Sequence, residues 1–183
     1  MAAPALQKPQ PTQVRLDPKE TAIAVLDLNV RCDDPKDICS ELMKGLGAFL
    51  ERARGAGVPI IFTSGFTLKG TPEAEIATAL KRRPSEPLIH PDAYDKFYGG
   101  ELQPFLQSHN TKNVVIAGSS THVCVLYTAT TAARVFGYNV VIPLDAVNTR
   151  EAINHDAALH QLQVIPRASE KITFSTEDGI TFA

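Results

Sequence analysis

The sequence predicts an α/β protein: a three-layer α/β/α sandwich around a mostly parallel, Rossmann-like sheet of about six strands. Two observations carry this. Short, almost wholly apolar runs alternate with longer segments of helical period from Thr21 onwards. The runs also lack a polar face, as strands do when helices cover both sides of their sheet. Strands alternating with helices imply crossover connections, and hence parallel pairing. A length of 183 residues fits one domain with a sizeable core.

The elements follow in order. Residues 1–18, MAAPALQKPQPTQVRLDP, are rich in Pro and Gln and read as a flexible arm ahead of a domain at 19–183. They lack the apolar stretch of roughly 7–15 residues that a secretory leader needs. TAIAVLDLN (Thr21 to Asn29) is apolar through Leu26 and then abruptly polar, so a buried strand ends at Asp27. From Asp37 to Arg54, Ile38, Leu42, Leu46, Phe49, Leu50 and Ala53 share one helical face, and Gly55 and Gly57 stop the helix. VPIIFT (Val58 to Thr63) is the next strand, and Pro72, Glu73 and Glu75 open a short helix towards Arg83. Pro84 to Tyr98 is irregular, with only Leu88-Ile89 suggesting a strand. Gly100 to Gln107 is a short helix, and NVVIAG (Asn113 to Gly118) is the clearest buried strand. A helix runs from about His122 to Phe136 and stops at Gly137. NVVIPL (Asn139 to Leu144) is a strand, Thr149 caps the helix after it, and KITF (Lys171 to Phe174) is a last edge strand.

Composition narrows the function. The formal net charge is -2, and without a basic excess nucleic acid is not an expected partner. No apolar run approaches the roughly 18 residues of a membrane span. Cys32, Cys39 and Cys124 are an odd count without metal spacing, which suits a reducing cytoplasm better than a disulfide scaffold. The five histidines are scattered, and neither a Gly-rich phosphate loop nor a GxSxG elbow is present. The expectation is a cytoplasmic enzyme of a small-molecule substrate, with no metal and no cofactor.

In an open parallel sheet, ligands gather beyond the carboxyl ends of the strands. That edge receives Asp27 and Asn29, then Thr63 and Ser64, then Ser119 to Cys124, with His90, Asp92, Tyr94, Asp95, Lys96 and Phe97 on a neighbouring loop. Cys124 lies in the opening turn of a helix, where unpaired N–H groups and the helix dipole favour a nucleophilic thiolate. Its alternative is a small buried hydrophobe, the reading that suits Cys32 and Cys39. Asp27 ends a buried strand, where a carboxylate is costly unless it is paired or used; it would take the thiol proton, or else cap the next turn. Lys96 would stabilise the thiolate, or else be a solvated surface lysine. His90 and His122 are alternative bases, so a Cys–His pair stays open. Asn29, Phe66, Phe97, His122 and Tyr127 are the candidate substrate-binding residues, with core packing as the alternative for the aromatic ones.

As a set, these residues resemble the isochorismatase-like cysteine hydrolases, a superfamily of nicotinamidases, N-carbamoylsarcosine amidase and related small-amide hydrolases. Asp27 matches the Asp that ends their first strand. Lys96 precedes Phe97-Tyr98-Gly99-Gly100-Glu101-Leu102, like their Lys before an aromatic-Gly-x-x-Leu segment. Gly118-Ser119-Ser120-Thr121-His122-Val123-Cys124 matches their G-x-x-T-x-x-C turn. The resemblance spans about Leu16 to Ala168 and implies a Cys124–Asp27–Lys96 triad acting through a thioester. It also implies a non-proline cis peptide at Ser119-Ser120, an oxyanion hole from the Ser120 and Cys124 amides, and a dimer or tetramer.

Two features depart from the pattern. In most members the lysine stands about six residues before the aromatic, where this chain has Pro91 with His90 beside it. The metal-binding Asp-x-His-x-x-His of nicotinamidases is replaced after IIFT by SGFTLKGT. Three readings result: an amidase-type cysteine hydrolase, an enol-ether hydrolase of isochorismate that needs the Asp but not the Cys, and a catalytically silent binding protein on the same fold.

Overall fold

A computed structural model describes residues 6–183; the first five positions of the expected arm lie outside the described residues. The strands are β1 (Val14–Leu16), β2 (Thr21–Leu26), β3 (Ile60–Thr63), β4 (Leu88–Ile89), β5 (Asn113–Ser119), β6 (Asn139–Pro143), β7 (Val147–Asn148), β8 (Ile172–Ser175) and β9 (Ile180–Phe182). The α-helices are α1 (Met43–Gly55), α2 (Leu102–Ser108), α3 (Leu126–Arg134) and α4 (Ala152–Val164).

Seven strands form one parallel sheet in the order β4-β3-β2-β5-β6-β8, with β7 beside the end of β5. The apolar runs behave as expected: every residue of β2 and β3 is buried. Alternate strand residues feed two cores. Ile23 and Val25 of β2 pack with Leu46, Phe49, Leu50 and Ala53 of α1. Ala22, Ala24 and Leu26 face Leu102 and Leu106 of α2, Ala129 and Ala132 of α3, and Leu159 and Leu162 of α4. Those two packed faces make the three-layer sandwich.

Several expectations are corrected. Pro72 to Arg83 forms only two 3-10 turns, Pro72–Ala74 and Thr78–Leu80. Between them the backbone pairs sideways instead of continuing a helix: Val30 N–H donates to Glu75 O (2.8 Å), and Ala77 N–H to Leu28 O (3.1 Å). Thr149 caps nothing; α4 follows Glu151 without a side-chain cap. The described part of the arm is anchored, because β1 pairs with β9 and Thr12 N–H donates to Phe174 O (2.9 Å).

The cysteines are a further correction. Cys32 and Cys39 form a disulfide, and Cys124 alone is free. Two short 3-10 turns, Val30–Asp33 and Ile38–Leu42, bring the pair together, capped by the side chains of Asn29 and Asp37 respectively.

Candidate active site

The site lies at the switch point of the sheet, between β2 and β5. From there β3 and β4 extend to one side and β6 and β8 to the other, leaving a crevice at the strands' carboxyl ends. In register, Leu26 lies opposite both Thr63 and Gly118. Gly118 has φ +148°, and a Cβ there would run into the Leu26 carbonyl, so glycine lets β5 close up on β2 where the site begins.

Asp27 follows β2 directly and sits at φ 56°, a left-handed turn that a short polar side chain tolerates. The turn aims its carboxylate across the crevice. Its Oδ1 accepts from Thr63 Oγ1 at 2.7 Å, and its N–H donates to Thr63 O at 3.1 Å. Its Oδ2 accepts from Cys124 Sγ at 2.9 Å and lies 2.7 Å from Lys96 Nζ. A single carboxylate oxygen therefore touches both the thiol and the ammonium.

Lys96 is buried, and its Nζ also donates to Ala93 O (3.2 Å). Its loop is clamped to α3. The Lys96 N–H donates to Thr128 Oγ1 (3.1 Å), and Thr131 Oγ1 donates to Asp95 Oδ2 (2.6 Å). The helix that continues the cysteine turn thus also fixes the lysine. His90 takes no part in these contacts, and its Nδ1 is buried without a hydrogen-bond partner.

Cys124 sits in a π-helical turn, Thr121–Val125, that leads into α3, and the Ser119-Ser120 peptide bond before it is cis. Burial pushes the thiol up to about 12; the Asp27 charge and hydrogen bond add to this, while Lys96 and a backbone hydrogen bond from Ser120 oppose it. The sequence argument from the helix N-terminus favoured a resting thiolate. Desolvation and the adjacent carboxylate outweigh that dipole, so the resting group is a thiol.

A cavity of about 470 Å³ opens over the three groups, with Phe66, Asp92 and Tyr94 among its walls. That volume suits a small molecule. Of the candidate binding residues, Phe66 lines the cavity and Tyr127 flanks it, its ring stacked on Tyr94 at 6.5 Å. Phe97 instead packs in the core, stacked on Phe136 at 4.7 Å. His122 Nδ1 lies 3.0 Å from Thr149 Oγ1 and does not line the cavity. Asn29 is buried, accepts from Arg31 N–H (3.4 Å), and borders a separate depression. Thr63 stood among the residues expected at this edge, but its hydrogen bond to the Asp27 carboxylate was not foreseen, because it depends on a strand register that the sequence does not state. The part played by Thr128 and Thr131 carries no local sequence signal.

Comparison with known proteins gives a consistent picture. The profile of the isochorismatase domain matches residues 34–175. The secreted isochorismatase effector Isc1 of Verticillium dahliae is 32% identical over 120 residues, covering 62% of this chain. The chain spans only 63% of the length of that relative. The ureidoacrylate amidohydrolase RutB of Caulobacter segnis is 24% identical over 161 residues, covering 63% of this chain and 67% of RutB. Among solved structures, an isochorismatase family protein from Burkholderia thailandensis superposes with a TM-score of 0.76 at 21% identity, covering 92% of this chain and 97% of that one. At that identity the likeness is one of fold.

Proposed function

Since this chain belongs to the isochorismatase family, we propose that it is a cysteine hydrolase of a small amide or related C–N bond. One observation carries the reading: Asp27 Oδ2 accepts from the Cys124 thiol at 2.9 Å while lying 2.7 Å from Lys96 Nζ. A general base must sit within hydrogen-bond reach of the proton it removes, and this one does.

The chemistry proceeds from the resting thiol. As Sγ attacks the substrate carbonyl, its proton passes to Asp27, and the carbonyl oxygen becomes an oxyanion. The Ser120 and Cys124 amides receive that charge, an arrangement that contributes several kcal/mol where donors are fixed in advance. Asp27 then gives the proton to the leaving nitrogen, and ammonia or an amine departs, leaving a thioester on Cys124. Asp27 next takes a proton from water, whose oxygen attacks the thioester. The acid is released and the thiol regains its proton. Throughout, the Lys96 ammonium offsets the charge that moves between Asp27 and sulfur.

The description of the Verticillium relative favours a second reading, hydrolysis of the enol ether of isochorismate. That reaction would run on Asp27 without the thiol. A release assay over small amides, ureas and isochorismate, on wild type and Cys124→Ala, separates the two. We expect one amide or urea to be turned over and its kcat/KM to fall by about 10³-fold or more in the variant. Isochorismate turnover that survives in Cys124→Ala would overturn the amidase reading. A setting outside the cytoplasm belongs to this proposal, replacing the cytoplasmic expectation. It is supported by the Cys32–Cys39 disulfide, since such bonds persist in oxidising compartments, and by the secreted character in the Verticillium relative's name.

A further inference from the structure

The cavity's charge says which amides it accepts. Among the described residues its walls hold two carboxylates, Asp27 and Asp92, and one cation, Lys96. Lys96 is already spoken for, 2.7 Å from Asp27 Oδ2 and buried beneath it. Arg31 comes near, its Nη2 donating to Asp27 O at 3.4 Å, but both oxygens of Asp37 hold its guanidinium through Nη1 at 3.1 and 3.2 Å. Asp92 is exposed and makes no ion pair among the described residues. With the thiol neutral at rest, the walls carry a net negative charge. Apart from Thr67 and Cys124, the remaining lining is apolar or aromatic, notably Phe66 and Tyr94, which are 49% and 63% exposed and so leave ring surface free.

We propose that this cavity selects uncharged or cationic amides with a flat apolar body and disfavours carboxylate-bearing ones, with Asp92 as the specificity-determining residue. The inference rests on the amidase reading for the word amide, but its charge preference stands on the cavity walls alone. A carboxylate entering here meets Asp92 and Asp27 and no unpaired cation, an arrangement that counts against a partner of the wrong sign. A cationic arm gains the Asp92 carboxylate, and an aromatic body gains contact with Phe66 and Tyr94. Isochorismate, which bears two carboxylates, is then a poor fit to these walls.

The test uses three ligands that share one ring and one amide: benzamide, its para-aminomethyl derivative and its para-carboxylate. Binding is measured by calorimetry on full-length Cys124→Ala and on Cys124→Ala/Asp92→Asn, and turnover on wild type. The expected result is that benzamide and the cation bind at least about tenfold more tightly than the carboxylate, the scale of one partly screened charge pair. Asp92→Asn should bring the cation down to benzamide and raise the carboxylate severalfold. Equal or tighter binding of the carboxylate, binding of none of the three, or a ranking unmoved by Asp92→Asn would overturn the proposal. If the ranking holds while wild type turns over none of these and no other amide, the amidase reading fails and the cavity preference survives. Turnover with the ranking reversed is the opposite case.

Discussion

Asp27 Oδ2 carries both the Cys124 thiol and the Lys96 ammonium, and the two neighbours move the thiol in opposite directions. Burial, then the carboxylate, raises the thiol to about 12, and the ammonium lowers it. Alkylation reports thiolate, so Cys124 in wild type should react slowly with iodoacetamide at pH 7 and faster as pH rises through 9 and 10. Asp27→Asn removes a charge that raises the thiol and leaves Lys96 in place. Labelling at pH 8 should therefore accelerate, by about tenfold, while turnover falls by 10²-fold or more through loss of the base. Lys96→Met should slow both. Intact-mass time courses give the rates, and fast wild-type labelling at pH 7 would sink the resting-thiol account. Nothing local in the sequence reveals this state: the helix start at Cys124 is legible, but the burial and the facing carboxylate that reverse its effect come from segments 97 positions apart.

At the scale of elements, the turn between β8 and β9 pushes a carboxyl against α1. Glu177 is 6% exposed, and a Cβ on Gly45 would collide with its carboxylate. Burial first, then the Asp145 charge, raises this carboxyl to about 7, with Arg52 opposing and Asp178 adding. The folded carboxyl thus keeps its proton up to about 7, whereas the unfolded chain releases it near its ordinary value of 4.5. Between those values the folded state binds more protons, so stability falls as pH rises across that window and levels off above it. The loss attributable to Glu177 is on the order of 3 kcal/mol at most. In urea unfolding at pH 5 and pH 8, Glu177→Gln should flatten the slope and exceed wild type at pH 8; parallel slopes would assign the effect elsewhere. Elements differ in how far their sequences announce them. β2 and β5 were legible because strands buried on both faces are apolar throughout. The helix expected after Pro72 was not, because a good helix start says nothing of the Leu28 and Val30 backbone groups that pair with Ala77 and Glu75.

For the molecule as a whole, the parallel sheet order brings Asp27, Lys96 and Cys124 together at the strands' carboxyl ends, the edge to which the alternating apolar runs pointed. The disulfide was not foreseen, since Cys32 and Cys39 are only seven positions apart and meet through two successive tight turns. Closing so short a loop contributes about 2 kcal/mol, or roughly 5 °C in Tm for a chain of this size. Cys32→Ala/Cys39→Ala, and wild type under reductant, should both melt lower by that amount in calorimetry; unchanged melting in both would show the bond to be absent or inert. The protein thus holds a disulfide pair and a buried free thiol within one small domain. Peroxide and disulfide exchange both act through thiolates, and a sulfur that stays protonated until a substrate arrives offers them little to attack. For the nucleophile proposed here, keeping the proton on Cys124 would therefore have a second consequence: the sulfur would be spared in an oxidising setting that has no thiol-repair partner.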